Sequence, residues 1–78
     1  YDVMLEPADK SEDAVIIEFK VKNAGKETSL EETVKTALKQ IEEKEYEAEL
    51  IRRGFEKEKI RKYGFAFEGK RVLIGEGK

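Results

Sequence analysis

The chain has 78 residues, of which 44% are charged and 38% are hydrophobic, and its formal net charge is -2. This length fits a single domain over residues 1–78, with enough apolar side chains for one small core. Because the chain contains neither cysteine nor histidine, thiolate and imidazole catalysis and most zinc sites are excluded. Any chemistry must use carboxylates, lysines, tyrosines and backbone groups.

Composition also bears on location and partners. The lack of cysteine is typical of a reducing compartment, so we expect a cytoplasmic protein. No apolar run approaches the roughly 20 residues that cross a bilayer, which predicts no membrane association. The 18 acidic residues slightly outnumber the 16 basic ones, so the chain lacks the basic footprint of a dedicated nucleic-acid binder. Because the chain begins without Met inside a predicted strand, we expect it to be a piece of a longer protein.

Two strands are predicted in the first part of the chain. Residues 1–5 form a short strand that ends at a polar loop containing Pro7. Residues 14–22 form the second strand, because apolar and polar side chains alternate along it. The alternation predicts a core face of odd-numbered residues and a polar face of even-numbered residues. The odd set is Val15, Ile17, Phe19 and Val21, and the even set is Ile16, Glu18, Lys20 and Lys22.

A helix is predicted after these strands. Ser29 and Glu32 have the spacing of a capping box, which marks the start of a helix. An apolar stripe at helical spacing follows, and it should lie on the sheet. The stripe consists of Leu30, Val34, Ala37, Leu38 and Ile41. A bend is expected near residue 45, followed by a second short helix that ends at Gly54 in a left-handed cap.

Two further strands are predicted at residues 60–67 and 71–74, joined by a turn at Gly69. Tyr63, Phe65 and Phe67 share one face of the third strand. They are of the type that stacks on bases, but on an alternating strand beside a helix we interpret them as core. The order is ββααββ. A crossover through the helices should make the second and third strands parallel, while hairpins join the others. The predicted fold class is α/β, with a mixed sheet and helices on one face.

The first two strands carry the residues with the clearest chemical potential. A hairpin would bring Asp2 beside Glu18, with Lys20 on the same face as Glu18. Two converging carboxylates form a site for a hard cation such as Mg²⁺ or Mn²⁺, and the carbonyl of Phe19 is a further candidate ligand. A bound ion and a nearby lysine suit phosphodiester hydrolysis. The alternative is an ordinary half-exposed strand, on which Glu and Lys form surface pairs.

The residues around Asp2 and the Glu18-Phe19-Lys20 segment, together with residues 42–46 and 60–70, resemble the PD-(D/E)XK nuclease superfamily. Within it they resemble the nuclease-like domain found at the C-terminus of AAA-type ATPases. The resemblance implies that Asp2 and Glu18 bind Mg²⁺ or Mn²⁺ and that Lys20 is the catalytic lysine. Gln40 matches a glutamine that some members carry on the following helix, although a boundary polar residue is an equal alternative.

The restriction-endonuclease-like core of that superfamily is αβββαβ, and its first helix and strand would precede Tyr1. The helix often contributes another acidic metal ligand, so we expect a core truncated at its N-terminus. Loss of the first strand would expose a sheet edge at residues 1–5, which predicts self-association through that edge. Two functions remain open. The resemblance implies a metal-dependent nuclease acting on DNA or RNA. The acidic balance and the absence of a basic stripe favour an inactive interaction or structural domain attached to an AAA-type ATPase.

Overall fold

A mixed four-stranded sheet with two α-helices on one face forms the domain in our computed structural model, which describes residues 2–77. The sheet order is β1-β2-β3-β4, with β2 and β3 parallel and the outer pairs antiparallel. The predicted element order and sheet type are confirmed, and Tyr1 lies outside the described residues. The elements are β1 (Asp2–Leu5), β2 (Ala14–Val21), α1 (Leu30–Glu43), α2 (Tyr46–Arg52), a 3-10 turn (Lys57–Lys59), β3 (Ile60–Glu68) and β4 (Arg71–Glu76).

Local hydrogen bonds explain where α1 begins. The Ser29 hydroxyl oxygen accepts from the Glu32 backbone N–H at 3.3 Å, as the capping box requires. The Glu32 carboxylate reaches one residue further back than expected, and accepts from the backbone N–H of Thr28 at 2.9 Å and from its hydroxyl at 3.0 Å. Three donors near the helix start are thereby satisfied.

The chain changes direction between α1 and α2 at Glu45. This residue has a left-handed backbone with φ 58, a conformation that non-glycine residues adopt at a cost. It confirms the bend predicted near residue 45. After α2, Gly54 has φ 105, and the N–H of Phe55 donates to the Leu50 carbonyl at 3.1 Å. The predicted left-handed end of the second helix is therefore confirmed.

The helices cover the even-numbered face of β2, and the prediction of an odd-numbered core face was wrong. Ile16 and Glu18 are fully buried beneath the helices, whereas Val21 is 73% exposed. The reason is visible on β3, where Gly64 and Ala66 are buried under α1. A Cβ at Gly64 would lie 3.0 Å from the Val34 carbonyl oxygen. Small residues allow the helix backbone to approach this face closely, which the large side chains of the other face would prevent.

The aromatic residues of β3 also lie on the odd-numbered face, so their assignment to the helix-covered core was wrong. The Phe19 ring centroid is 5.2 Å from that of Phe65 and 6.1 Å from that of Phe67. These rings are half-buried. Leu5, Val21, Val72 and Ile74 share this side of the sheet and are at least half exposed. We call this surface the open face.

Neither helix within residues 2–77 has the length and hydropathy needed to cross a membrane.

The apolar core lies between the helices and the even-numbered face. One cluster lies under α2 and the end of α1, and a second lies under the first turns of α1. The first consists of Ala14, Ile16, Ile41, Leu50, Phe55 and Ile60, and the second of Leu30, Val34 and Ala66.

Candidate functional site

Asp2 and Glu18 lie directly opposite each other on β1 and β2. Side chains opposite each other in an antiparallel pair point to the same face of the sheet, and here that face is the one beneath the helices. The Glu18 side chain is only 1% exposed, while the Asp2 side chain is 27% exposed. The hairpin expected from the sequence therefore brings the two carboxylates together, with Glu18 inside and Asp2 at the rim.

Both carboxylates meet one cation, the ammonium of Lys44. Its Nζ donates to Asp2 Oδ2 at 2.6 Å and to Glu18 Oε1 at 3.0 Å. The Tyr46 hydroxyl donates to the same Asp2 oxygen at 2.6 Å. These are short, charge-assisted contacts of the stronger kind. We call Asp2, Glu18, Lys44 and Tyr46 the carboxylate cluster.

The helix junction is what supplies Lys44 and Tyr46. Lys44 caps the C-terminus of α1, with its N–H donating to the Gln40 carbonyl at 3.0 Å, and Tyr46 is the first residue of α2. The left-handed Glu45 between them changes the chain direction, so that the residues on either side of it both contact Asp2. A lysine at a helix C-terminus is also favoured by the helix dipole.

Electrostatics in the cluster favour a charged Asp2. Hydrogen bonds from Lys44 and then from Tyr46 lower the pKa of the Asp2 carboxyl below its usual value. The same contacts raise the pKa of Lys44, first through Asp2 and then through Glu18. The pKa of the Tyr46 phenol is raised, chiefly because it donates to Asp2. At neutral pH the cluster therefore contains an ionised Asp2, a protonated Lys44 and a neutral Tyr46.

Lys20, the candidate catalytic lysine, lies two residues beyond Glu18 on the same face of β2 and is half-buried. It is opposite Ala66 in the parallel register. The pKa of Glu27 is lowered mainly by the Asn23 backbone N–H, and the charge of Lys20 is one of the smaller causes. The charge of Lys20 therefore acts on Glu27 in the loop that precedes α1. The ammonium that contacts Asp2 and Glu18 belongs to Lys44.

Two weaker candidates have distinct positions. Gln40 is half-buried on α1, one turn before Lys44, and residues four apart on a helix share a face. Its contribution to the site stays a prediction. The Phe19 ring belongs to the open face, and metal ligation by its carbonyl also stays a prediction.

Sequence reasoning missed Lys44 and Tyr46 as site residues. The available signal was the bend near residue 45, because a helix that ends over a sheet brings its terminal side chains onto the strands.

A separate cavity of about 280 Å³ opens next to this bend. In it the buried Lys62 forms an ion pair with Glu47 at 3.0 Å. The cavity is lined by Ile41, Glu42, Glu45, Glu47, Ala48, Lys57 and Lys62.

The donor chemistry fits a hard divalent cation. Within residues 2–77 no group of three or more acidic, histidine or cysteine side chains is arranged to hold a metal. Asp2 and Glu18 would therefore be the two side-chain ligands, and their oxygens already converge on a single positive charge. Mg²⁺ typically binds through one or two carboxylates and keeps several waters. Two converging carboxylates meet this requirement.

The mixed sheet and the two helices on one face are consistent with an α/β fragment of restriction-endonuclease-like fold. Comparison with protein families agrees, since the profile of the PD-(D/E)XK nuclease superfamily matches residues 1–77. The chain belongs to this superfamily, whose nucleases generally depend on divalent metal ions. Comparison with curated proteins and with solved structures gave no significant match.

Proposed function

We propose that this chain is a metal-dependent nuclease domain that hydrolyses phosphodiester bonds of DNA or RNA in the cytoplasm. The observation that carries the proposal is the convergence of Asp2 and Glu18 on one cation, at 2.6 and 3.0 Å from Lys44 Nζ. A site that holds one positive charge between two carboxylates has the geometry and charge to hold a divalent ion there. Membership of the nuclease superfamily supports the same function.

Each residue of the site has a defined task in this proposal. Glu18 is a fixed ligand, because burial beneath the helices leaves its side chain only 1% exposed. Asp2 is the ligand nearer solvent, and the Tyr46 hydroxyl orients it. A Mg²⁺ or Mn²⁺ ion, when bound, would lower the pKa of a water molecule and neutralise charge on the phosphate.

Lysine and amide groups around the carboxylates would assist the reaction. Lys20 follows Glu18 on the same face, where a lysine can orient the attacking water or offset negative charge that develops on the phosphate. Gln40 lies one turn before Lys44 on α1 and is proposed to contact water or substrate. The Phe19 carbonyl, next to Glu18 in the chain, is proposed as an additional metal ligand.

Metal titration of Glu18→Gln tests the proposal. The parent domain should show saturable Mg²⁺ or Mn²⁺ binding by calorimetry, and its melting temperature should rise by mass action. Glu18→Gln keeps the shape of the side chain but removes its charge, so both effects should be lost. Glu12→Gln is the matched control, since Glu12 is exposed in the loop between β1 and β2. Absence of saturable metal binding below the millimolar range, both in the parent and in a Lys44→Met variant that lacks the ammonium now held by the two carboxylates, would refute the metal site.

A second variant separates binding from chemistry. Lys20→Met should retain metal binding by calorimetry and lose cleavage of DNA and RNA substrates, because the lysine is assigned to the reaction and not to ligation. Lys35→Met, at an exposed position of α1, should retain both. Full cleavage activity in Lys20→Met would remove Lys20 from the mechanism while leaving the metal site intact.

The open face favours a second candidate function, that of an interaction domain attached to an AAA-type ATPase. Val21 is 73% exposed and Ile74 is 53% exposed on this face, and exposed apolar patches commonly mark interaction surfaces. A longer chain that includes the ATPase portion provides the test. Glu18→Gln should leave its assembly unchanged if the domain acts only in interaction, whereas a nuclease would lose cleavage with this substitution.

Strand edges offer a further route of association. β1 and β4 are the outer strands of the sheet within residues 2–77, and unpaired edges can pair with another chain. We expect concentration-dependent self-association through β1, measurable by sedimentation. A sharp monomer at high protein concentration would contradict this expectation.

A further inference from the structure

We propose that Lys44 is an internal cation that takes the place of the divalent ion in the metal-free domain and must withdraw before that ion binds. The inference rests on the proposed metal site and adds a control of its occupancy. Its basis is that the Lys44 ammonium contacts both candidate ligands, with Nζ at 2.6 Å from Asp2 Oδ2 and 3.0 Å from Glu18 Oε1.

Competition follows from the distances. Mg²⁺ binds oxygen at about 2.0–2.1 Å, closer than an ammonium does, and needs its ligand oxygens turned toward it. An ion bound to Asp2 and Glu18 would occupy the space that Lys44 Nζ now fills. Two cations cannot share that space, because their charges repel at such short range. Metal binding and the contacts of Lys44 with Asp2 and Glu18 therefore exclude each other.

The structure also shows which partner can move. The Lys44 side chain is 41% exposed and sits at the end of α1, whereas the Glu18 side chain is 1% exposed. A flexible lysine stem can carry its charge into water, whereas the buried carboxylate cannot follow it. Tyr46 continues to donate to Asp2 when Lys44 leaves, so this ligand stays oriented. The lysine withdraws and the two carboxylates remain.

Exchange of the Lys44 ammonium for a divalent ion removes the net negative charge of the carboxylate cluster. With Lys44 seated, two carboxylates and one ammonium leave the cluster net negative, which disfavours the approach of a phosphate. With a divalent ion bound and the Lys44 charge moved into water, the two carboxylates are neutralised and the cluster is no longer net negative. Metal binding should therefore precede binding of an anionic substrate.

Calorimetric titration of Lys44→Met with Mg²⁺ or Mn²⁺ tests the competition. The competing ammonium donates two charge-assisted hydrogen bonds, and the loss of even one should tighten metal binding by about tenfold to a hundredfold. Lys44→Arg retains a cation and should bind metal with an affinity near that of the parent. Lys39→Met, at an exposed position of α1, is the matched control and should have parent affinity.

Each outcome separates the two proposals. Equal or weaker metal binding by Lys44→Met than by the parent would overturn the competition while leaving the metal site in place. A lysine with a merely structural role predicts weaker binding, so the sign of the change decides between the two roles. Failure of both the parent and Lys44→Met to bind metal would reject the proposed metal site and this inference with it.

A measurement on the unmodified protein covers the case in which Lys44→Met does not fold. Nuclear magnetic resonance of the lysine side chains should show a distinct Lys44 signal without metal, because its ammonium is held by two carboxylates. Saturating Mg²⁺ should move this signal to the position of exposed lysines such as Lys39. A Lys44 signal that stays unchanged at saturation would overturn the proposal.

Discussion

Gly64→Ala tests how closely α1 must approach the sheet to build the site. Gly64 lies in β3 directly opposite Glu18. A Cβ at this position would lie 3.0 Å from the Val34 carbonyl oxygen, 3.2 Å from the Ala37 Cβ and 3.3 Å from the Leu38 Cγ. The nearest of these atoms belongs to the helix backbone, so it cannot rotate away. The substitution must push α1 outward or strain β3.

The expected cost follows from two opposing effects. Overpacking a tight site costs about 1–3 kcal/mol, while replacing glycine in a strand recovers about 0.5–1 kcal/mol of chain entropy. The net loss should be about 1–2 kcal/mol of unfolding free energy. Domains of this length have a total of roughly 4–12 kcal/mol. The melting temperature should therefore fall by about 4–16 °C.

Urea denaturation of the metal-free protein, followed by circular dichroism, measures this loss. The matched control is Gly25→Ala, because a Cβ at Gly25 would meet only the Asn23 Oδ1 at 3.4 Å, an ordinary contact. This control should be neutral or slightly stabilising. If Gly64→Ala were as stable as Gly25→Ala, the argument that close helix packing selects this face of the sheet would be refuted.

Two further predictions concern the faces of β2 and the charge of Asp2. Ile16→Ala should cost about 2–5 kcal/mol of unfolding free energy in urea, because Ile16 is fully buried. Val21→Ala should cost less than about 0.5 kcal/mol, because Val21 is 73% exposed, and similar losses for the two variants would contradict the assignment of faces. The fold lowers the pKa of Asp2 below its usual value of 3.8. Ionised Asp2 therefore stabilises the domain fully at pH values above 3.8, and this stabilisation is lost as the pH falls through the lower pKa of the folded state. Melting curves between pH 2 and pH 7 should therefore show a stability deficit for Asp2→Asn near neutrality that disappears in acid, and a deficit independent of pH would count against the ion pair with Lys44.

Local sequence signals were sufficient for the secondary structure and for the acidic pair. Ser29 marked the start of α1 and Gly54 the end of α2, because capping and left-handed turns depend on a few adjacent residues. The hairpin between β1 and β2 placed Asp2 beside Glu18, since pairing of neighbouring strands follows from their connection. These features depend on residues that are close together in the chain, so they can be predicted from a single sequence.

Tertiary packing alone decided which face of the sheet is covered. Alternation along β2 shows that the two faces differ, but it does not say where the helices lie. On β3 the aromatic residues predicted that the helices cover the odd-numbered face. Gly64 and Ala66 lie on the even-numbered face, and only the position of the α1 backbone shows that these small residues mark the covered side. Close approach of a helix to a sheet depends on small residues, which carry little hydrophobic signal in a sequence.

The cation of the site was likewise decided by tertiary structure. Lys44 is 42 residues from Asp2 and 26 residues from Glu18 in the chain, and the sequence does not distinguish it from the two exposed lysines of α1, Lys35 and Lys39. Its position depends on the length of α1, on the left-handed turn at Glu45 and on the register of β1 with β2. The sequence by itself determined that two carboxylates would meet. Only the tertiary structure determined that Lys44 is the charge between them, because a buried carboxylate draws its counter-ion from whichever element the fold brings within reach.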